Sequence, residues 1–334
     1  MAARSGQKLK LLYIADIFKK YTDEEHPISA AEICDKLAAL GVTAERKAIY
    51  DDIQQLILYG YDIIKTRTPK NGFFLASREF ETSEIYLLCD AVKTAKFISA
   101  KKTRELVSKL EGMLSIYQST DKLKAVFIDY KSKCQNEEIF YSIDAIDRAI
   151  AAHKKISLKY GVRTLGSNRE IKTEYKERVI SPYALTWQDD HYYLIGNYEK
   201  YDNLIHLRVD RMRKVKELDV SARPFSEVSE YKDTFDVADY TKKLFGMFGG
   251  KTEEIELICS KSILEIIADR FSQDIFIRNL TEDTFTVTVK AAVSDALITW
   301  IMNYGDKIKV SKPSYLIEKI RDRAEEIIKI YDKN

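Results

Sequence analysis

The apolar residues near the start of the chain recur with a helical period. A first amphipathic helix is predicted by the spacing of Leu9, Leu12, Tyr13, Ile17 and Tyr21. A second is predicted from Ala30 to Leu40, because Ser29 and Glu32 have the spacing of a capping box at its start. Gly41 then ends this second helix in a tight turn.

A third helix is predicted between Thr43, as its N-terminal cap, and Tyr59, with Gly60 as its stop. The face that packs on the other two helices consists of Ile49, Ile53 and Leu56. The opposite face carries Arg46, Lys47, Tyr50, Asp51 and Gln54. Short helices joined by a glycine turn are typical of a helix-turn-helix. Arg, Lys and Gln reach base edges in the major groove, and Tyr can hydrogen-bond a phosphate. The DNA-contact residues expected here are Thr43, Arg46, Lys47, Tyr50 and Gln54.

Two short apolar runs follow, Tyr61–Ile64 and Phe73–Leu75, and the Asn-Gly pair that ends at Gly72 is a hairpin signal between them. The tip of this hairpin would carry Lys65, Arg67 and Lys70. We therefore expect a winged helix-turn-helix over residues 1–78, with a double-stranded DNA operator as its partner. The alternative is a small helical domain whose charges only face solvent. Non-specific DNA affinity would be modest and salt-dependent, because the basic residues are opposed by Glu45, Asp51 and Asp52.

The rest of the chain divides into three further predicted domains. Residues 79–136 are predicted to form a helical linker and dimerisation segment. Helix is expected over residues 79–130, because apolar residues recur at helical spacing up to Tyr117. Residues 137–220 turn to short alternating strands, which are typical of a small barrel or sandwich. Residues 250–334 predict a small α/β sandwich with two alternating strands, a helix capped by Ser294 and a final helix from about Pro313 to Tyr331. The fold class is thus α+β and multidomain.

Four strands are predicted within residues 137–220. They cover 155–160, Val179–Leu185, Tyr192–Tyr198 and Leu204–Val209. In the last strand Leu207 and Val209 would face inward, which leaves His206 and Arg208 on the other side, with Arg211 just past the strand end.

Composition narrows the function classes without choosing one. The chain has 54 basic and 52 acidic residues, so its net charge does not by itself indicate nucleic acid. Four cysteines and four histidines are scattered without metal-ligand spacing, so we expect free thiols, no metal and no cofactor. No signal segment or apolar run of membrane-spanning length occurs, so we expect a cytoplasmic protein without a membrane partner.

Three sequence patterns in the middle region together resemble the WYL-domain transcriptional regulators. They are Pro182 with Tyr183 and Leu185, the tripeptide Tyr192-Tyr193-Leu194, and Arg208-Val209-Asp210-Arg211. In the tripeptide Tyr192 replaces the family's Trp, although Trp187 lies five residues earlier. The resemblance implies a winged helix, a helical linker, an SH3-like or Sm-like barrel and a C-terminal extension known as WCX, in that order. The third helix departs from the family pattern at Glu45 and Asp51.

What the resemblance implies for function is a regulator whose barrel senses a nucleic-acid or nucleotide-like effector and changes operator affinity. The effector residues that it implies are Tyr160, Ser181, His206, Arg208 and Arg211. An Arg offers a planar fork for phosphate, and an exposed Tyr can stack on a base. The alternative for Arg208 is an ion pair with Asp210 or Glu199. The alternative for Tyr193 is a position in the core, and for this residue we favour the core.

We expect a homodimer rather than an enzyme. Two-fold symmetry would match an inverted-repeat operator. A metal-dependent nuclease would need clustered carboxylates, and Asp189-Asp190 has no identifiable acidic partner. The alternative function is a non-transcriptional nucleic-acid accessory protein, in which the barrel binds single strands.

Overall fold

A computed structural model describes residues 3–121, 133–231, 235–271 and 275–332. Backbone contacts divide the chain into two compact units, residues 1–137 and 138–334. The first unit is mainly helical, and the second contains two antiparallel sheets with helices packed on them.

The first unit begins with three helices and a hairpin, in the predicted order. They are α1 (Ala3–Tyr21), α2 (Ala30–Ala39), α3 (Arg46–Tyr59), β1 (Ile63–Thr66) and β2 (Gly72–Leu75). The predicted capping box at the start of α2 is confirmed: Ser29 accepts from the Glu32 amide, and Glu32 accepts from the Ser29 amide. Gly60 ends α3 in the left-handed conformation, as predicted. The core between these elements is centred on Phe18, Ile33 and Ile53.

The predicted cap of α3 was wrong by two residues. Glu45, not Thr43, is the N-cap residue of α3, and its side chain makes no capping hydrogen bond. The preceding residues 42–45 have no regular structure, and Val42, fully packed in the core, fixes where the helix can begin. Burial of one apolar side chain has therefore outweighed a local capping preference.

The hairpin forms where it was predicted, but a tight turn does not explain the glycine at position 72. Gly72 pairs with Thr66 inside the ladder, and the loop between the strands is five residues long. A Cβ on Gly72 would lie 2.8 Å from the carbonyl oxygen of Ile28. Because Ile28 and Phe73 exchange two backbone hydrogen bonds of 2.8 Å, the missing side chain lets the α1–α2 connection join the hairpin.

Three shorter helices complete the described part of the first unit: α4 (Thr82–Thr94), α5 (Ala100–Glu111) and α6 (Ile116–Asp121). The prediction of helix across Met113 and Leu114 was wrong, since these residues form the turn between α5 and α6. Ser115 stops helical continuation there, because it caps α6 through a 3.1 Å hydrogen bond from the Gln118 amide. The part of the helical prediction at residues 122–130 lies outside the described residues.

The second unit opens with a helix that the sequence reading missed. Strands were predicted from residue 137, but α7 spans Ile139–Ala151. Its apolar residues have a helical period, with Ile139, Ile146 and Ala149 fully buried. This helix packs across one face of the following sheet.

That sheet has five antiparallel strands in the order β6-β5-β4-β3-β7. The strands are β3 (Lys154–Leu165), β4 (Ile171–Gln188), β5 (His191–Asn197), β6 (Ile205–Arg208) and β7 (Met212–Ser221). All four predicted strands are present, while β3 and β4 are much longer than predicted and β7 was missed. Asp189 and Asp190 have positive φ in the predicted turn after β4.

The predicted SH3-like or Sm-like barrel is not closed among the described residues. In the described part of the chain the edge strands β6 and β7 do not pair with each other. The physical reason lies in the short β6, which pairs with β5 over only four residues. A 3₁₀ turn at Val209–Arg211 then carries the chain directly to β7 on the far side of β3. The architecture is therefore an open, bent antiparallel sheet.

The C-terminal region forms a second sheet in the order β11-β8-β10-β9, reached through the short helix α8 (Val237–Lys242). Its other elements are β8 (Lys251–Ser260), α9 (Leu264–Phe271), β9 (Ile277–Arg278), β10 (Thr284–Val293), α10 (Asp295–Met302), β11 (Ile308–Lys312) and α11 (Ser314–Tyr331). The predicted alternation in β8 and β10 is confirmed by a shared buried core, and Ser294 caps α10 as predicted. This region agrees with the expectation of helices on a short sheet.

Candidate nucleic-acid interface and effector site

The third helix separates its two faces as cleanly as the sequence predicted. Ile49 and Ile53 are fully buried against the other two helices. The opposite face is exposed to solvent and presents Arg46, Lys47, Tyr50, Asp51 and Gln54. Because the buried residues fix the helix axis and its rotation, the polar side chains point outward from a rigid support.

The exposed face of α3 is joined to the hairpin through one aromatic ring. The ring of Tyr50 meets Phe73 edge-on at 5.8 Å between centroids, and the ammonium of Lys65 lies 5.9 Å from the same ring. Arg67 is exposed in the hairpin loop. The structure therefore brings Tyr50 and Lys65, which are distant in sequence, onto one surface.

Lys70 differs from the other two basic hairpin residues because it is already paired. Its ammonium lies 2.7 Å from a carboxylate oxygen of Glu32. The hydrogen bond from Lys70, together with that from the Ser29 amide, lowers the pKa of Glu32 to about 2. Lys70 thus ties the hairpin loop to the start of α2, and its charge is partly neutralised.

The three acidic residues that oppose this surface are not equivalent. Glu45 and Asp51 are exposed beside the basic residues. Asp52 is turned towards α1, where its carboxylate lies 2.7 Å from the ammonium of Lys10. The predicted repulsion of phosphate therefore reduces to Glu45 and Asp51.

Arg208 and Asp210 form a two-point ion pair at the end of β6. The guanidinium donates two hydrogen bonds to the carboxylate, of 3.0 and 2.7 Å. Burial alone would raise the pKa of Asp210, but the hydrogen bond and charge of Arg208 outweigh it and hold that pKa below its ordinary value. Of the two partners proposed for Arg208, Asp210 is the observed one, and Glu199 pairs with Lys155 instead.

Arg211 and Tyr160 lie together beside this pair. Arg211 is exposed at the end of the 3₁₀ turn, and Tyr160 is half-buried at the last residue pair between β3 and β7. Burial raises the pKa of Tyr160, while the positive charge of Arg211 opposes that shift. Tyr193, which pairs with Arg208 across the strands, is partly buried against Ala184 and its neighbours, in keeping with the core interpretation.

His206 faces the connection between the two sheets rather than Arg211. Its Nε2 lies 2.9 Å from the hydroxyl of Tyr240 on α8, and the two rings are stacked at 5.7 Å. Burial lowers the pKa of His206 to about 4, so the ring is neutral at physiological pH. The same burial raises the pKa of Tyr240.

Ser181 is buried and supports a residue that the sequence reading missed. Its hydroxyl accepts a 3.0 Å hydrogen bond from the amide of Arg223, and the Tyr183 hydroxyl donates to the Arg223 carbonyl at 2.9 Å. The Arg223 guanidinium binds both Asp202 and Glu227. Glu227 lies only four residues from Arg223, but the sequence does not mark Arg223 as part of this site, because Ser181, Tyr183 and Asp202 lie 42, 40 and 21 residues away along the chain. Ser181 therefore has a structural role in this conformation.

Among the described residues, no group of three His, Cys, Asp or Glu side chains could hold a metal ion. The four cysteines are free, with Cys89 and Cys259 buried. No helix in the described ranges is both long and apolar enough to cross a membrane.

Comparisons with known proteins identify two domains in the second unit. Residues 142–217 match the WYL domain, and residues 251–328 match the WCX domain. The chain therefore contains both domains that the resemblance implied, in the implied order. No curated protein matches the chain at a significant level.

Two solved structures are similar at low identity. Proteasome accessory factor B/C (PafBC) of Arthrobacter aurescens is 15% identical with a TM-score of 0.27, and the match covers 97% of this chain and 49% of that chain. A CRISPR Cas-related protein is 15% identical with a TM-score of 0.38, and the match covers 99% of this chain and 84% of that chain. This chain thus spans about half the length of the PafBC chain.

Proposed function

We propose that this chain, which carries a WYL domain and a WCX domain, is a ligand-responsive, DNA-binding transcriptional regulator. In this proposal α1–α3 and the β1–β2 hairpin act as a winged helix-turn-helix. The observation that carries the proposal is the exposed polar face of α3, which Phe73 joins to the basic hairpin. A helix of this kind fits the major groove, and a basic hairpin beside it can contact phosphate.

The proposed effector is an anionic nucleic acid or nucleotide that binds at the end of β6. Arg211 is the exposed cation there, and Tyr160 lies beside it. Arg208, held by Asp210, would fix the neighbouring backbone or exchange its partner for a phosphate. His206 and Ser181 would support the site from within the fold, and the proposal includes no catalytic step.

The assembly that we propose is a cytoplasmic homodimer. The helices α4–α6 and the WCX region would supply its contacts, and an inverted-repeat operator would match its two-fold symmetry.

The test of DNA binding is fluorescence anisotropy with the duplex upstream of the gene and a scrambled duplex, over a salt series. Tight binding to the native duplex that survives moderate salt supports a site-specific regulator. Equal, salt-labile binding to both duplexes contradicts it and favours the second candidate, a nucleic-acid accessory protein. The second candidate is favoured by the exposed Glu45 and Asp51 on α3, because their negative charges oppose the binding of phosphate at this surface.

The test of the effector site is the double variant Arg208→Ala/Arg211→Ala. We expect it to lose the effect of added nucleotides or oligonucleotides on duplex affinity, while basal duplex binding stays intact. An unchanged response in this variant would overturn the assignment.

A further inference from the structure

The last helix, α11, carries an apolar stripe along its whole length, but only the first half of this stripe is buried. Leu316 is fully buried in the core of the C-terminal sheet, and Ile317 and Ile320 pack against the same core. At 3.6 residues per turn, the stripe continues onto Ala324, Ile327, Ile328 and Tyr331. Ile327 is 41% exposed, Ile328 56% and Tyr331 76%. The second half of the stripe is therefore open to solvent.

A row of four charged residues borders the exposed half of the stripe on one side. In chain order the row consists of Arg321, Glu325, Lys329 and Asp332. All four are exposed, and they form no ion pair among the residues that the structure describes. Arg323, which borders the stripe on its other side, lies 3.6 Å from Asp295 of α10. The row thus alternates in sign along the helix and has charges that the fold does not use.

The row is complementary to itself when two copies of α11 pack stripe against stripe and run antiparallel. A two-fold axis near residue 327 sets Arg321 opposite Asp332 of the second copy. The same axis sets Glu325 opposite Lys329 of the second copy, and the symmetry repeats both pairs. In a parallel pair each charge of the row would instead meet the same charge, and like charges across an interface are unfavourable.

The apolar side chains also fit this antiparallel arrangement. Ile327 lies at the axis and would meet Ile327 of the second copy. Ala324 is three residues before the axis and Tyr331 is four residues after it, so these two lie at nearly the same level on opposite copies. The small side chain of Ala324 leaves room there for the ring of Tyr331. Two copies would therefore cover the exposed half of the stripe with each other.

The charge balance of α11 favours a second copy over nucleic acid or a membrane surface. The helix contains four basic residues and four acidic residues. Nucleic acid and anionic lipid both select a surface with excess positive charge. A row of alternating sign gives no such excess, but it gives a specific orientation against an identical row.

We propose that residues 321–332 of α11 form a homodimer contact in which two copies of the helix pair antiparallel. The paired segment is about 18 Å long at 1.5 Å per residue. This deepens the proposed function, on which it rests for the expectation of a homodimer, and it names the residues of one dimer contact in the WCX region.

The first experiment sorts the charges of the row and measures dimerisation of the full chain by sedimentation velocity. An acidic variant, Arg321→Glu/Lys329→Glu, and a basic variant, Glu325→Lys/Asp332→Lys, each make the row uniform in sign. Each variant alone should raise the dimer dissociation constant at least tenfold, because like charges then face each other. An equimolar mixture of the two should dimerise with nearly wild-type affinity, because every pair is again of opposite sign.

The control for these variants is Lys307→Glu/Lys309→Glu. It changes the net charge by the same amount as the acidic variant, at two exposed residues that lie outside α11. It should dimerise like the wild type. Circular dichroism of each protein checks folding, which we expect to be retained because all the substituted side chains are exposed.

The second experiment tests the apolar stripe. Ile328→Ala/Tyr331→Ala should raise the dimer dissociation constant at least tenfold, because both side chains would be buried in the pair. Ile330→Ala is the matched control. Ile330 is 70% exposed, but it points roughly 110° away from the stripe, so its loss should leave dimerisation unchanged.

Three results would overturn the inference. The first is a wild-type chain that is monomeric. The second is a dimer of equal stability in the wild type, the two charge variants and the stripe variant. The third is a mixture of the acidic and basic variants that dimerises no better than either variant alone.

Failure of this inference and failure of the proposed function are distinguishable. Preference for the native duplex by a chain whose association does not depend on α11 contradicts the α11 contact alone. Dimerisation that depends on the charge row, in a protein without duplex preference, contradicts the regulator proposal alone.

Discussion

The three-helix unit and the five-stranded sheet hold their candidate side chains in opposite ways. On α3, Lys47 and Gln54 are exposed and rest on a buried apolar face of the same helix. In the sheet, His206 and Arg208 are half-buried and bound to other side chains. Substitutions on the exposed face of α3 should therefore change DNA binding without changing stability, while substitutions of His206 and Arg208 should change stability as well as effector binding.

The largest effect is expected where the support of α3 is removed. Ile53 is fully buried, so Ile53→Ala should lower the free energy of unfolding by about 2–5 kcal/mol. Its exposed neighbour provides the control, since Gln54→Ala should stay within about 0.5 kcal/mol. Urea unfolding of the two variants measures this difference. Equal stabilities would contradict the two-faced description of α3.

The next largest effect is expected in the pH dependence of stability, and it comes from His206 in the five-stranded sheet. The pKa of His206 is about 4 in the folded chain against 6.5 in the unfolded chain, so the unfolded chain binds a proton that the folded chain does not. The stability should therefore fall by at most about 3 kcal/mol as the pH is lowered from 6.5 to 4. Above pH 6.5 the contribution of His206 to stability should stay constant. Unfolding of wild type and His206→Gln across this range isolates the contribution, because other groups titrate in both proteins. Parallel curves would show that His206 is not buried as described.

A smaller effect should follow when Arg208 loses its partner. Asp210→Ala leaves a half-buried guanidinium without its carboxylate and should cost about 1–3 kcal/mol of stability. Replacing both residues, as Arg208→Met/Asp210→Leu, should cost less than the single change, because no uncompensated charge remains. Denaturant unfolding of the three proteins decides this. A double variant that costs as much as Asp210→Ala, or more, would contradict the coupling of the pair.

The smallest effect separates two hairpin cations. Arg67→Ala should weaken duplex binding and reduce the salt slope by about 1, as the loss of one phosphate contact does. Lys70→Ala should do less, because Glu32 already holds Lys70. Its stability should change by less than about 1 kcal/mol, since both partners are largely exposed. A larger salt effect for Lys70 than for Arg67 would show that the ion pair opens on binding.

The first unit was predictable where its signals are local. The capping box of Ser29 and Glu32, the stop at Gly60 and the apolar face of α3 all lie within a few residues of the structure that they determine. The cap at Thr43 failed because burial of Val42 depends on the assembled core. The helix α7 was missed although Ile139 and Ile146 gave a helical period.

The sheet was predictable only in part, because its contacts are between residues far apart in sequence. Ser181 meets the backbone of Arg223, and His206 meets Tyr240, at separations of 42 and 34 residues. The outer half of the β3–β4 hairpin also lacks a buried face, so no alternation marked its length. The open edge between β6 and β7 depends on a 3₁₀ turn that the resemblance did not specify.

The most direct test of the central claim compares duplex preference in wild type and Lys47→Ala/Tyr50→Ala. The measurement is the ratio of affinities for the native and the scrambled duplex, with thermal unfolding as the check on folding. We predict that the ratio collapses towards one while the unfolding midpoint stays unchanged, because both side chains are exposed on a supported helix. A preserved ratio in a folded double variant would show that α3 does not read the DNA.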